Sequence, residues 1–345
     1  MARPGQQQTR KSQTFLNRIR GPGTIALVSL VLTACSGQQS ILDPAGKGAR
    51  DSASIWWLMF WLGTIVFLFV LALILMAIFR GSREREAALT QQARQRMVIL
   101  GGVIVPVVII AVVFAGSTRS LLGMGRLRDN SDVVIDVVAH QYWWEVHYPH
   151  DEVTTANEIH IPVDRDVQVR LTATDVIHSF WVPQLHGKID MLPGKSNTIT
   201  IRADEPGTYR GQCAQFCGVQ HANMAFLVIA SDEPDYRDWI AHQQQPAAEP
   251  SEGTLVERGR DIYMSSACVY CHTIDGTPSQ GTLGPDLTHL GSRETLGAGI
   301  LPNNTGNLAG WVIDPQEIKP GNAMPAVDMT GEDLQALLEY LNSLD

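Results

Sequence analysis

"CAQFCGVQHANM" occupies residues 213–224. Cys213 and Cys217 are four apart, His221 follows four residues on, and Met224 three after that. A disulfide would use only the two cysteines. A zinc site would not want the methionine. Thiolate, imidazole and thioether in one short loop favour copper over zinc or magnesium.

The sequence around this loop reads as β-structure. From residue 132 the pattern has a period of two. "DVVIDVVA", "YWWEVHY", "EIHIP", "DVQVRLTA", "NTITIR", "TYRGQC" and "AFLVIA" are short β-branched and aromatic runs, separated by turns such as "EPGT" at 205–208. Many short strands with Pro/Gly turns predict a sandwich or barrel. No long helix is expected between residues 132 and 234. Upstream, "DVIHSFWVP" (175–183) sets His178 in an apolar, aromatic run. A blue copper site uses one cysteine, two histidines and a weak methionine, so this set has one cysteine too many. Two thiolates can instead bridge two copper ions. His178 with Met224 would complete one ion, and His221 with a backbone carbonyl near residue 215 the other. Such a centre shares its odd electron over both ions, so bond lengths change little on reduction. That suits electron transfer and not substrate chemistry. The plainer alternatives are a Cys213–Cys217 disulfide and a Met224 that fills the core. His140, His147, His150, His160, His186 and His242 show no such spacing and are expected at the surface or in hydrogen bonds.

Length and charge bound the rest. The 345 residues allow two or three domains at about 100–200 residues each. Residues 1–130 carry 15 Lys/Arg against 5 Asp/Glu, and residues 131–345 carry 11 against 30. An acidic soluble part argues against nucleic acid as a partner. The basic excess surrounds two uncharged apolar runs, 55–79 and 97–116, each long enough to span a bilayer. Pro106 is tolerable in a membrane helix. Arg80, Arg83, Arg85, Arg94 and Arg96 between the runs predict a cytoplasmic connection, with everything after about residue 120 outside the cytoplasm. Ahead of the hairpin, Arg3, Arg10, Lys11, Arg18 and Arg20 precede a short apolar run at 24–32, the pattern of a secretory signal over residues 1–34. The closing "LTAC" resembles a bacterial lipobox, with lipid on Cys35; a signal anchor with an incidental cysteine is the alternative.

Taken together, these residues resemble subunit II of cytochrome c oxidase. The matching pieces are the hairpin, "HQYWWEVHY" (140–148), "DVIHSFWVP" (175–183), "KIDMLPG" (188–194) and "GQCAQFCGVQHANM" (211–224). The resemblance implies a cupredoxin-like Greek-key barrel or sandwich over 130–232. It also implies the binuclear copper centre CuA on His178, Cys213, Cys217, His221, Met224 and the backbone carbonyl of Gln215. Three departures stand out. The family usually has glutamate where Gln215 stands, helping to hold magnesium at the interface with subunit I; an amide is a weaker ligand for a hard cation. The family's Gln-Trp-Tyr-Trp run here reads Gln141-Tyr142-Trp143-Trp144. Its first Trp receives the electron from soluble cytochrome c, so Tyr142, Trp143 and Trp144 are the electron-transfer candidates. The second span also lacks the acidic residue often found near its cytoplasmic start.

The last third changes character again. Residues 241–253 read as a linker, rich in Pro, Gln and Ala. Beyond it, Cys268-x-x-Cys271-His272 is the c-type haem attachment pattern, with thioethers from both cysteines and iron bound by the imidazole. Alone it could also be a redox dithiol or half a zinc site. "IKPGNAMPAV" (318–327) offers Met324 as sixth ligand, with Met329 as competitor; His/Met ligation suits electron transfer. "LGPDLTHLGSR" (283–293) resembles small class I cytochromes c, which makes His289 a bystander. Thr330 caps a last helix whose Leu334, Leu337, Leu338, Leu341 and Leu344 form one stripe. A small all-α cytochrome c domain is thus expected over 254–345.

These pieces predict a relay on the outer face of a bacterial inner membrane. Electrons reach the haem from cytochrome c or a cytochrome bc complex, pass to CuA, then to haem in subunit I, where oxygen is reduced to water and protons are pumped. Subunits I and III are the implied partners. A membrane-tethered carrier without an oxidase partner, or a copper chaperone or thiol oxidoreductase, are the rival readings. The chaperone would need neither His221, Met224 nor the haem.

Overall fold

The computed structural model describes residue 37 and residues 39–79, 90–125, 131 and 133–345. Cys35, the expected signal at 1–34, and Arg80, Arg83 and Arg85 lie outside the described residues. Helix α1 spans Lys47–Phe79. A second rod is formed by α2 (Gln91–Ile99), a wide turn at Leu100–Ile104 and α3 (Val105–Gly125). Both rods are long and apolar enough to cross a membrane, and α1 packs along α3. In the wide turn the Val105 N–H bonds back to Leu100 O, one residue further than an α-helix allows. It sits just before Pro106, which has no N–H to continue the ladder.

The apolar run at 55–79 is shorter than α1, because the helix starts at Lys47 in a polar turn docked on the β-domain. Ala45 N–H bonds to Gln184 O at 2.8 Å and Ala49 N–H to Leu185 O at 3.0 Å. Arg50 pairs with Asp204. Gly46 and Gly48 permit the approach: a Cβ would lie 2.3 Å from Arg202 O at the first and 2.2 Å from the His186 ring at the second.

Ten strands form the β-domain: β1 (Val133–His140), β2 (Trp143–Tyr148), β3 (Val153–Ala156), β4 (Glu158–Pro162), β5 (Val167–Ala173), β6 (His178–Trp181), β7 (Ile189–Met191), β8 (Asn197–Ile201), β9 (Gly207–Cys213) and β10 (Ala225–Ser231). They make two five-stranded sheets, ordered β3-β2-β1-β5-β8 and β4-β10-β9-β6-β7. The alternating residues of the sequence face one shared core of Ile135, Val137, Trp144, Val146, Val169, Phe180, Phe226 and Val228. This is the cupredoxin-like sandwich. Helix α4 (Glu233–Gln243) closes it, packing on β3, β4 and β10, with Trp239 stacked on His160 at 3.9 Å. Its last turn takes the first residues of the expected linker.

The C-terminal domain is built on α5 (Leu255–Ser265) crossing α8 (Gly331–Asn342). Thr254 and Thr330 accept hydrogen bonds at the two N-termini. Gly259 lets the helices touch, since a Cβ there would lie 1.9 Å from Ala336 O. A two-stranded hairpin, β11 (Thr295–Leu296) with β12 (Leu301–Pro302), and short helices α6 (Thr305–Ile313) and α7 (Pro315–Ile318) complete it. Tyr263, Leu337, Tyr340, Leu341 and Leu344 are in its core, with Met329 packed against them.

Candidate metal and haem centres

The loop at 213–224 joins β9 to β10, and Cys213 N–H bonds to Met224 O at 2.9 Å to close its neck. Strand β6 pairs with β9 in the register Phe180 opposite Cys213, which brings His178 over the loop. The two sulfurs stand 3.8 Å apart, well beyond the ~2.0 Å of a disulfide. Cys213 Sγ lies 3.8 Å from His178 Nδ1 and 3.2 Å from Gln215 O. Cys217 Sγ lies 3.8 Å from His221 Nδ1 and 3.8 Å from Met224 Sδ. Each sulfur therefore touches one donor of the His178/Met224 pair and one of the His221/Gln215 pair. Two thiolates ringed by two imidazoles, a thioether and a carbonyl would hold a copper pair, so the donor set fits one.

The surroundings aim these donors. His178 is fully buried, and its Nε2 lies 2.8 Å from Asp175 Oδ1, leaving Nδ1 for the metal. Burial alone would raise the Asp175 pKa, but bonds from His178 and the Val176 and Gln141 N–H groups hold its carboxyl below the usual range. The contact between the two sulfurs pulls the Cys213 pKa down, and the same contact with burial pushes Cys217 up.

The aromatic run divides. Trp144 is in the core with its ring 4.8 Å from Phe226 and 6.3 Å from His178. Trp143 points to the other face of β2 and stacks on His140 at 4.3 Å. Tyr142 is only 7% exposed, and its hydroxyl accepts from Val219 N–H at 3.2 Å. Gly218 (φ 135°) makes room for it, a Cβ there falling 2.3 Å from the Tyr142 hydroxyl. His140 and His147 both bond Glu145, and His186 bonds Gly187 O.

In the C-terminal domain Cys268 and Cys271 are free thiols on one short turn. His272 Nδ1 lies 2.7 Å from Pro285 O, which leaves Nε2 for iron. Burial lowers the His272 pKa. Gly284 faces the ring where a Cβ would come within 2.7 Å. Two thiols and an oriented imidazole fit a covalent haem. Met324 is pinned in a loop, its N–H bonded to Asn322 Oδ1 at 2.7 Å and its carbonyl accepting from Gln316 at 2.8 Å. His289 is engaged elsewhere, bonded to Gln245 O and Asp345 O.

The two domains meet along a seam beside the copper loop. Gln220 Nε2 donates to Pro320 O at 2.8 Å, and Ala225 N–H to Ala298 O at 3.0 Å. Lys319 Nζ donates to Tyr142 O and Gly297 O, each at 2.8 Å. Glu158, 3% exposed, accepts from the N–H groups of Glu294 and Thr295. Burial, opposed in part by Arg293, raises its pKa to about 7. Residues 297–299 all have positive φ, including Ala298 at 63°, so the turn presents its carbonyls to the β-domain. Asp175, Lys319, Gln220 and Glu158 lie in stretches quoted above, but nothing in those stretches marks them by residue type; only the three-residue spacing of Asp175 to His178 was available as a signal.

Residues 151–231 match the family described as cytochrome C oxidase subunit II, periplasmic domain, and residues 256–345 match the cytochrome c family. The chain is 36% identical over 332 residues to the cytochrome c oxidase subunit 2 of Alkalihalophilus pseudofirmus, covering 93% of this chain and 95% of that protein. It is 30% identical over 350 residues to the cytochrome c oxidase subunit 2 of Bacillus subtilis, covering 93% and 96%. The corresponding protein of Bacillus sp. strain PS3 is 35% identical over 230 residues, 64% of each chain. Because almost the full length of two relatives is matched, the likeness is not confined to one domain, and the chain belongs to the cytochrome c oxidase subunit 2 family.

Proposed function

We propose that this chain is the electron-input subunit of a membrane cytochrome c oxidase. Its C-terminal domain receives electrons, its β-domain takes them over, and subunit I uses them to reduce oxygen to water with proton pumping. The carrying observation is the donor cluster, in which each of two sulfurs touches one donor from each of two pairs. Bound there, a copper pair and a covalent haem supply reversible one-electron acceptance. His178, Cys213, Cys217, His221, Met224 and the Gln215 carbonyl hold the copper. Asp175 and Gln141, which bonds Cys217 O, fix the ligands before and after the electron arrives. Cys268 and Cys271 anchor the haem, and His272 and Met324 bind its iron. Met329 packs against the core, whereas Met324 is held in a hydrogen-bonded loop, which favours Met324. Trp144 lies 6.3 Å from the His178 ring and Tyr142 bonds the copper loop through Val219 N–H, while Trp143 faces away.

In this reading the hairpin lies in the bacterial inner membrane, both soluble domains face the periplasm, and Cys35 carries lipid. Subunits I and III are the partners, and cytochrome c or a cytochrome bc complex the donor. The exposed amide of Gln215 is a weaker magnesium ligand than a carboxylate, so magnesium is not part of the reading. The test is metal and haem content of the full chain in detergent, with an optical spectrum. Two coppers and one haem per chain, with near-infrared mixed-valence absorption, are expected. One copper or none, with Cys213 and Cys217 oxidised to a disulfide, overturns the reading in favour of a thiol oxidoreductase.

A further inference from the structure

Lys319 is 2% exposed, a degree of burial that lysine almost never accepts unpaired. Among the described residues no carboxylate pairs with it. Its amine bonds two carbonyls instead, and they belong to different domains: Gly297 in the C-terminal domain and Tyr142 in the β-domain. Burial lowers its pKa to about 7, and charged or neutral it keeps enough N–H donors for both. Tyr142 is itself fastened to the copper loop through Val219 N–H. One side chain therefore joins the C-terminal domain to the residue that braces the copper loop.

The neighbouring bonds have the same character. Gln220 precedes the copper ligand His221, and its partner Pro320 follows Lys319. Ala225 follows the ligand Met224, and its partner Ala298 follows Gly297. On the other side, segment 315–324 is stitched to itself. Gln316 Nε2 donates to the Asn322 and Met324 carbonyls, and Gln316 Oε1 accepts from Gly321 N–H. Moving Lys319 therefore moves Met324. A tether alone raises the local concentration of a domain but does not orient it.

We propose that Lys319 is a positioning residue for electron transfer: by bridging Gly297 and Tyr142 it holds the Met324 segment against the copper loop in one register. The transfer carries one electron from ferrous haem to the oxidised copper pair, with no bond made or broken and no proton moved. The tethered domain then needs no search before each turnover. This rests on the cofactor assignments proposed above.

The test is made on the whole assembled oxidase carrying Lys319→Met, which keeps the length of the side chain and removes its donors. Pulsed electron paramagnetic resonance on the two oxidised centres reads the spread of their separation. Time-resolved reduction reads the transfer rate at rising solvent viscosity. The unaltered protein is expected to show a narrow spread and a rate indifferent to viscosity. The variant is expected to show a broad spread and a viscosity-dependent rate lower by about tenfold or more, as small misplacements produce, with haem and copper absorption unchanged. A narrow spread and an unchanged rate in the variant overturn the proposal. Missing copper or methionine-ligated haem absorption in the unaltered protein would instead defeat the cofactor assignments. Should Lys319→Met fail to take up either cofactor, Lys319→Gln, which keeps an amide donor, is read by the same two measurements.

Discussion

Asp175 supplies no ligand, yet it sets the imidazole of His178 by holding Nε2 at 2.8 Å. Replacing such a partner typically weakens metal binding about 10–100-fold. Asp175→Ala is expected to lose copper affinity on that scale, read by competition with a chelator, while the chain keeps its β-sheet circular dichroism. Glu158 makes a different prediction. Its carboxyl titrates near 7 in the folded protein and near 4.5 when free. Between those values the folded protein holds a proton that the unfolded chain has released. Its contribution to stability therefore falls as pH rises from about 4.5 to about 7, by roughly 3 kcal/mol at most. Glu158→Gln should remove that part of the slope, and denaturation of both proteins across the window measures the difference. The cluster of sulfur and imidazole donors was legible in the sequence because those residue types announce their chemistry, and the structure brings them together. Asp175 and Lys319 were not, because a polar residue is defined by its partner. Lys319 finds its partner Tyr142 at a separation of 177 positions.

Helices α5 and α8 depend on the absence of a single methyl group. Gly259→Ala would push a Cβ to 1.9 Å from Ala336 O, and overpacking of this kind costs about 1–3 kcal/mol or more. A lower denaturation midpoint of the haem domain, followed by haem absorption in the full chain, is expected. Gly331→Ala, where nothing lies within 4 Å, should leave that midpoint unchanged or slightly raised. Strands β1, β2, β5 and β9 were legible from their alternation, since one face of each meets the core, and β10 from its β-branched and aromatic run, which is buried along most of its length. The short β3 and β7 were not, because three or four residues hold too little of a period. Hydropathy found both membrane helices but not their ends. A hydrogen-bond ladder continues through polar residues such as Lys47 and Arg50, and apolarity stops before it. The wide turn at Leu100–Ile104 left a trace only in Pro106.

At the scale of the whole molecule, three bodies are fastened by short contacts. The haem domain is fixed to the β-domain along the seam of Lys319 and Glu158. The β-domain is fixed to the hairpin where Gly46 and Gly48 press into residues 185–186 and 202. That second joint makes α1 an axle with a set phase. Each residue of an α-helix turns the chain by about 100° and advances it about 1.5 Å. One alanine inserted after Ser54, beyond the joint, would leave the soluble domains intact but rotate them by that angle about the hairpin. The copper loop would then face a different quarter of the membrane surface. The variant is expected to keep its copper and haem spectra and to lose electron delivery to subunit I, seen as reduced haem c and copper that no longer reoxidise in air. Inserting further residues to complete a full turn, about 3.6 in all, should restore much of it. The bearing of the copper centre is thus indexed by the helix, residue by residue, much as a compass card is fixed to its pivot.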